Sequence, residues 1–139
     1  MNANDADARL QRRALLETAN GPATHAEYLV SLSGTLSLPP AGPVTVWVRY
    51  VPDRRVVAPQ TFGAYLAAVA AAPWPSLEHA AAAILDDINN ELVPRWIQVR
   101  IVQASGATAD PGLPRHDVLL EDQQPKWENP SLLSRLERV

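Results

Sequence analysis

The chain has 139 residues, 47% of them hydrophobic and 19% charged, which fits one folded domain rather than a disordered chain. A formal net charge of −3 argues against nucleic acid as a partner, and no apolar run is long enough to cross a membrane. The absence of cysteine excludes disulfides, thiolate metal sites and a cysteine nucleophile, and with no apolar signal segment we expect a cytoplasmic protein.

Residues 1–26 are mostly polar and form an N-terminal arm in our interpretation. Within it, Leu10, Ala14 and Leu15 share one face of a helix, so residues 6–18 predict a short amphipathic helix. A frayed arm is the alternative, because chain ends without an anchor are poorly ordered.

An alternation of apolar and polar residues begins near Glu27 and predicts a β-hairpin. Residues 28–37 and 44–50 form its strands, and the proline-rich segment 39–43 forms the turn. The polar face of the first strand contains a row of hydroxyl side chains, which we expect to be solvated or to pack on another subunit: Ser31, Ser33, Thr35 and Ser37.

Two helices are predicted next. Apolar residues at helical spacing indicate one helix over 60–72, which Pro73 ends. Ser76 is a good N-cap for a second helix with a wide apolar stripe over 77–92. The short connection makes the two helices an αα unit.

Two more strands follow the helices. Over 96–103 the side chains of Ile97, Val99 and Ile101 form the apolar face, with Gln98, Arg100 and Gln103 assigned to the polar face. Residues 104–114 are predicted as a loop and 116–121 as a fourth strand.

The order ββααββ predicts an α+β fold with a four-stranded antiparallel sheet and two helices on one face. We place this domain at residues 27–122. The remaining residues, 123–139, form a C-terminal tail with a short helix predicted over 131–139.

Few residue patterns here carry chemistry. His25, His79 and His116 have no spacing typical of a metal site, so we expect no metal. Neither a serine nucleophile elbow nor a glycine-rich phosphate loop is present. The adjacent pair Asp86-Asp87 points in two directions on a helix and is predicted to lie on a solvated face.

Three segments in a consistent order resemble one known family. They are Val-Arg-Tyr-Val-Pro-Asp-Arg-Arg-Val-Val at 48–57, Ile-Leu-Asp-Asp-Ile at 84–88 and Pro-Arg-Trp-Ile-Gln-Val at 94–99. Together they resemble the NADPH-dependent 7-cyano-7-deazaguanine reductases of queuosine biosynthesis, which are nitrile reductases of the tunnelling fold. The similarity covers about residues 28–111 and implies a homo-oligomeric barrel, built as a ring of subunits or as two stacked rings.

The catalytic and cofactor-binding residues of that family are largely missing from this chain. The family's nucleophilic cysteine falls near Thr35 and its proton-donor aspartate near Gly42. The glutamate and two lysines of its cofactor motif correspond to neutral residues, Ala58, Gln60 and Gly63. The reaction passes through a covalent thioimide that needs a thiolate, and NADPH phosphates need cationic partners. We therefore expect a divergent member without NADPH-dependent nitrile reduction and without a cofactor.

One of the family's functional positions, a ligand-binding glutamate, keeps its charge in this chain. The family's ring-binding glutamate, at the start of the second helix, aligns with Glu78, although the Phe-His pair before it reads Ser76-Leu77. The resemblance thus implies a purine- or pterin-like ligand held by Glu78. The alternative role for an acid in the first turn of a helix is to complement the helix dipole.

Three functions remain open. The first is a binding protein that keeps a heterocycle pocket at Glu78. The second is an enzyme of different chemistry on a purine- or pterin-like substrate, which needs a polar partner beside Glu78, such as His116 or a neighbour's His25. The third is a structural subunit that pairs with an active homologue, in which an arginine of the same chain would cover Glu78.

Overall fold

The computed structural model describes residues 3–104 and 114–136, and in the first helix it describes side chains from Ala6 onward. In chain order the elements are α1 (Ala3–Ala14), β1 (Thr18–Asn20), β2 (Val30–Leu38), β3 (Gly42–Val51), β4 (Arg55–Val57), a 3-10 turn (Pro59–Thr61), α2 (Phe62–Ala71), α3 (Leu77–Leu92), β5 (Trp96–Gln103), β6 (Val118–Gln123) and α4 (Pro130–Leu133). Most of the predicted loop 104–114 and the end of the predicted helix 131–139 lie outside the described residues.

The main sheet has four antiparallel strands in the order β2-β3-β5-β6. Helix α2 packs against β2, and α3 packs against β5 and β6. The predicted α+β fold with the order ββααββ is therefore confirmed, while the oligomeric barrel remains a prediction. Among the described residues, no helix combines the length and apolar character needed to cross a bilayer.

Alternation along β3 builds the core. Val44, Val46, Val48 and Tyr50 are fully buried on the sheet face that carries the helices, while the residues between them face the other side. The Tyr50 hydroxyl also accepts a hydrogen bond of 2.9 Å from the backbone N–H of Val57. The inward residues of β3 thus provide the apolar surface on which the helices pack.

A second, two-stranded sheet joins β1 to β4, with Thr18 opposite Val57. No sequence pattern predicts this sheet, because three-residue strands are too short to show an alternation. Arg55 stabilises the pairing, since its Nη2 donates to the Thr18 hydroxyl at 2.6 Å and its Nη1 to Asn20 at 3.1 Å.

The predicted N-terminal helix is present as α1, but its packing face differs from the prediction. Leu10 and Leu15 are 60% and 40% exposed. The chain instead buries Arg12, at 7% exposure, together with Leu16 just after the helix.

A buried polar cluster holds α1 on the domain. Arg12 Nε donates to Asp87 Oδ2 at 2.6 Å and Arg12 Nη2 to Asp87 Oδ1 at 3.2 Å. The Tyr65 hydroxyl donates to Asp87 Oδ2 at 2.5 Å. The prediction of a solvated acidic pair is therefore wrong for Asp87, which is 1% exposed, whereas Asp86 is exposed. The burial of this carboxylate is explained by Arg12, 75 positions away in sequence, together with Tyr65, 22 positions away.

The cluster also shifts proton affinities. Burial alone would lower the pKa of Arg12, but the hydrogen bond and the negative charge of Asp87 outweigh it and raise that pKa. Burial, followed by the charge of Asp87, raises the pKa of Tyr65. At neutral pH Arg12 is therefore a cation and Tyr65 a neutral phenol.

Candidate functional site

Glu78 lies in the first turn of α3, as predicted. Ser76 is the N-cap residue: its backbone is extended, and its hydroxyl accepts a hydrogen bond of 3.2 Å from the His79 N–H. This cap orients the first turn so that Leu77 is buried and Glu78 points to solvent, with 57% of its side chain exposed.

The partner of Glu78 is His116, in the segment that leads into β6. His116 Nε2 and Glu78 Oε1 form an ion pair when the imidazole is protonated. The two residues are 38 positions apart in sequence, and the fold brings them together because α3 packs against β6. Of the two histidines considered as partners for Glu78, the structure places His116 beside it within the same chain.

Gln103, at the end of β5, positions His116. Its Oε1 accepts the His116 backbone N–H at 2.8 Å, and its Nε2 donates to the Ala41 carbonyl at 3.3 Å. The Gln103 side chain is buried, at 6% exposure. The assignment of Gln103 to the polar face is wrong, because its strand parity matches that of Ile101. Counting along the strand from Ile101 would have placed the Gln103 side chain on the inner face.

The neighbours of His116 are tied to the same strand end. Asp117 Oδ1 accepts the Gln103 backbone N–H at 3.2 Å, and Asp117 Oδ2 pairs with Arg115 Nε at 3.2 Å. Arg115 therefore engages Asp117, and in the described part of the chain the ion-pair partner of Glu78 is a histidine rather than an arginine. Among the described residues, the arginine contact expected of a purely structural subunit is therefore not observed at Glu78.

The other two histidines have different surroundings. His79 Nδ1 lies 2.7 Å from the Ser76 hydroxyl and belongs to the helix cap. His25 is exposed and lines a cleft of about 350 Å³ with Glu27 and Arg95. Within residues 3–104 and 114–136, no group of three or more potential metal ligands lies close enough to hold an ion.

Thr35 does not share a surface with Glu78 within one chain. An added Cβ at Gly34 would meet Leu66 of α2, so Gly34 faces the helices and Thr35 faces the opposite side of the sheet. Any site that used both positions would need two subunits.

The remaining changed positions are spread over the hairpin and the start of α2. Gly42 begins β3 with a φ of 78°, where the hairpin requires the left-handed region. Ala58 precedes the 3-10 turn, Gln60 lies within it and Gly63 is exposed in the first turn of α2. No charged side chain occurs at these four positions.

Comparison with known proteins finds little. No protein-family model matches the chain, and no curated protein matches it either. Among solved structures, the chain is similar to the archaeosine synthase QueF-Like in the apo form, with a TM-score of 0.49 and 16% sequence identity. That match covers 70% of this chain and 94% of the other. At this level of similarity no residue role can be transferred between the two proteins.

Proposed function

We propose that this chain is a tunnelling-fold protein that binds a purine- or pterin-like heterocycle at Glu78 and does not reduce nitriles. The resemblance over residues 48–99 motivates the proposal, and the observed ββααββ order agrees with it. The observation that carries it is the exposed Glu78 carboxylate at the start of α3, which contacts His116 through one oxygen, Oε1.

The chemistry of a carboxylate suits such a ligand. Its two oxygens can accept parallel N–H bonds from a ring edge that carries an amino group next to a ring N–H. A surface ion pair contributes at most about 1 kcal/mol, so a ligand can rearrange or share the contact with His116 at low cost. An arginine in place of His116 would be harder to displace from Glu78, because a guanidinium can donate two parallel hydrogen bonds to one carboxylate.

The loss of the family's reaction follows from the sequence. Thr35 is exposed, and a threonine hydroxyl is a weak nucleophile unless a base activates it. The neutral residues Ala58, Gln60 and Gly63 provide no cation for the phosphates of NADPH. Incubation with 7-cyano-7-deazaguanine and NADPH should leave the nicotinamide absorbance at the level of a protein-free control. Oxidation above that level would contradict this part of the proposal.

The contact between Glu78 and His116 favours a second candidate function, an enzyme of different chemistry on a similar ring. A histidine beside a carboxylate is a common general acid–base arrangement. In this role His116 would exchange a proton with the ligand, while Glu78 would hold the ring or orient the imidazole. Gln103 would keep His116 in place through the backbone hydrogen bond of 2.8 Å.

We also propose that the chain assembles into a homo-oligomer, as a ring or as two stacked rings. The outer strands β2 and β6 each pair with one neighbour in the described part of the chain, so the sheet has two open edges. Joining sheets edge to edge would close them. Light scattering should report a multimer at micromolar concentration, and a monomeric mass would contradict the assembly.

The binding proposal is tested by calorimetry with a panel of purines, pterins and deazapurines. Glu78→Gln keeps the size of the side chain but loses one acceptor, and it should weaken binding by about tenfold or more. Glu128→Gln, at an exposed glutamate of the C-terminal tail, is the matched control and should bind like the unchanged protein. No binding by any compound, or equal binding by Glu78→Gln, would refute the anchor.

Turnover of a bound compound separates the two functions, and His116→Asn tests which residue is responsible for it. A binding protein should retain most of its affinity in this variant. An enzyme should keep its affinity and lose turnover of whichever panel compound the unchanged protein converts, as followed by chromatography of the products. If the unchanged protein binds a compound and converts none, the enzyme alternative is wrong for this panel.

A further inference from the structure

The helix-free face of the main sheet carries two rows of side chains that the strand register aligns across all four strands. One row contains Ser31, Arg49, Gln98 and Glu121, and the next contains Ser33, Trp47, Arg100 and Leu119. Arg49 and Arg100 are therefore diagonal neighbours on adjacent strands, within reach of each other's long side chains.

Arg49 is held in a defined position. Its guanidinium carbon lies 4.8 Å from the centre of the Trp47 ring, a cation–π contact. Its Nη1 donates to Gln98 Oε1 at 3.4 Å, and Gln98 Nε2 in turn donates to Glu121 Oε1 at 2.9 Å. The buried amide of Gln98, at 6% exposure, thus links the guanidinium to a carboxylate at the sheet edge.

Arg100 places a second positive charge beside this arrangement. It is exposed, and within the described residues no carboxylate forms an ion pair with it. Burial and then the positive charge of Arg100 lower the pKa of Arg49. Two positive charges on one sheet face repel each other, and an anion bound between them would attract both guanidinium groups and offset that repulsion.

A cleft lies at this pair. It has a volume of about 600 Å³ and is lined by Arg49, Gln98, Arg100, Leu119 and Leu136. Leu119 is 55% exposed on β6, and Leu136 comes from the segment after α4. The cleft therefore combines two guanidinium groups with two apolar side chains supplied by separate parts of the chain.

We propose that this cleft binds a small ligand in which an oxyanion, a phosphate monoester or a carboxylate, is attached to an apolar ring. The oxyanion lies between Arg49 and Arg100, whose planar forks match its oxygens, and the ring packs on Leu119 and Leu136. Two arginines in a chain of net charge −3 suit one anionic group better than a polyanion. Because α2 and α3 cover the other face of the sheet, this site is separate from Glu78.

Calorimetry with four probes tests the proposal: phenyl phosphate, benzoate, inorganic phosphate and phenol. Phenyl phosphate or benzoate should bind more tightly than both inorganic phosphate and phenol, because only the first two probes present both halves of the ligand. The stronger of these two identifies the oxyanion as phosphate or carboxylate. Equal binding of all four probes, or no binding of phenyl phosphate and benzoate, would overturn the proposal.

Three variants locate the binding. Arg100→Gln, at an exposed position, should weaken the stronger probe by about tenfold or more, which corresponds to one charge-assisted hydrogen bond. Arg54→Gln, at an exposed arginine of the turn before β4, is the matched control and should leave binding unchanged. Leu119→Gln should remove the preference for phenyl phosphate over inorganic phosphate. Unchanged binding in Arg100→Gln would place the ligand elsewhere and refute the site.

Discussion

The buried cluster of Arg12, Asp87 and Tyr65 makes a sharp prediction about stability. In Asp87→Asn the side chain keeps its size, but the Arg12 guanidinium loses the carboxylate that accepts its hydrogen bonds at 2.6 and 3.2 Å. The side chains of Arg12 and Asp87 are 8% and 1% exposed, so water cannot replace the lost partner while α1 stays docked.

The expected cost is large. Removing one member of a buried ion pair costs about 3–5 kcal/mol, because the remaining charge stays buried without compensation. Detachment of α1 would let Arg12 reach water and would limit the loss, so we expect Asp87→Asn to lose about 3 kcal/mol. Replacing both charges, as in the double variant Arg12→Met/Asp87→Leu, should lower the free energy of unfolding by less than the summed effects of Arg12→Met and Asp87→Leu alone.

Urea unfolding followed by circular dichroism measures these free energies. Glu91→Gln is the matched control, because Glu91 pairs with Arg13 on the same two helices at 2.8 Å but at 28% exposure. This variant should lose about 1 kcal/mol or less. If Asp87→Asn were no less stable than Glu91→Gln, or if the single effects simply added in the double variant, the cluster would not hold α1 as the structure indicates.

Two further predictions concern the sheet and its supports. Hydrogen bonds from Trp127 and then Arg95 lower the pKa of Glu27, so the unfolded chain binds the proton more tightly than the folded chain, and the free energy of unfolding should decrease as the pH drops below about 4.5. Glu27→Gln should flatten this pH dependence. An unchanged slope in the variant would contradict the prediction. An added Cβ at Gly34 would come within 2.5 Å of Leu66, so Gly34→Ala should lower the free energy of unfolding in urea by about 1–3 kcal/mol. Gly63 has open space around it, so Gly63→Ala should raise that free energy by about 0.4–1 kcal/mol. Equal effects of the two alanines would refute the packing argument.

The main sheet and its two helices could be predicted from sequence because each has a strong period. Alternation marks β2, β3 and β5, and the apolar stripe with Ser76 in front marks α3. The prediction over 96–103 matches β5 at both ends. These elements bury one face against a common core, so local pattern and tertiary packing agree.

The errors arise where a polar side chain is buried by a distant partner. Asp87 looks like half of an exposed acidic pair until Arg12 is brought to it from α1. Gln103 looks like a surface residue until its amide is seen to bridge Ala41 and the backbone of His116. The contact of Asp87 has no local signature, because only the complete fold brings Arg12 to it, whereas the inward direction of Gln103 follows from its strand parity with Ile101.

Glu78 is a candidate through the family resemblance, and the same reasoning explains why its place in the first turn of α3 could be predicted while its surroundings could not. The position follows from the helix start at Ser76, a local signal, whereas the approach of His116 depends on β6 adding to the sheet and on Gln103 holding the segment before it. An arginine on Glu78 would have formed a bidentate pair that a ligand must break. The exposed histidine instead leaves the carboxylate reachable at a cost of about 1 kcal/mol or less. The contact therefore supports the proposed site at Glu78, and the His116→Asn variant tests whether such a site only binds a ligand or also transfers a proton.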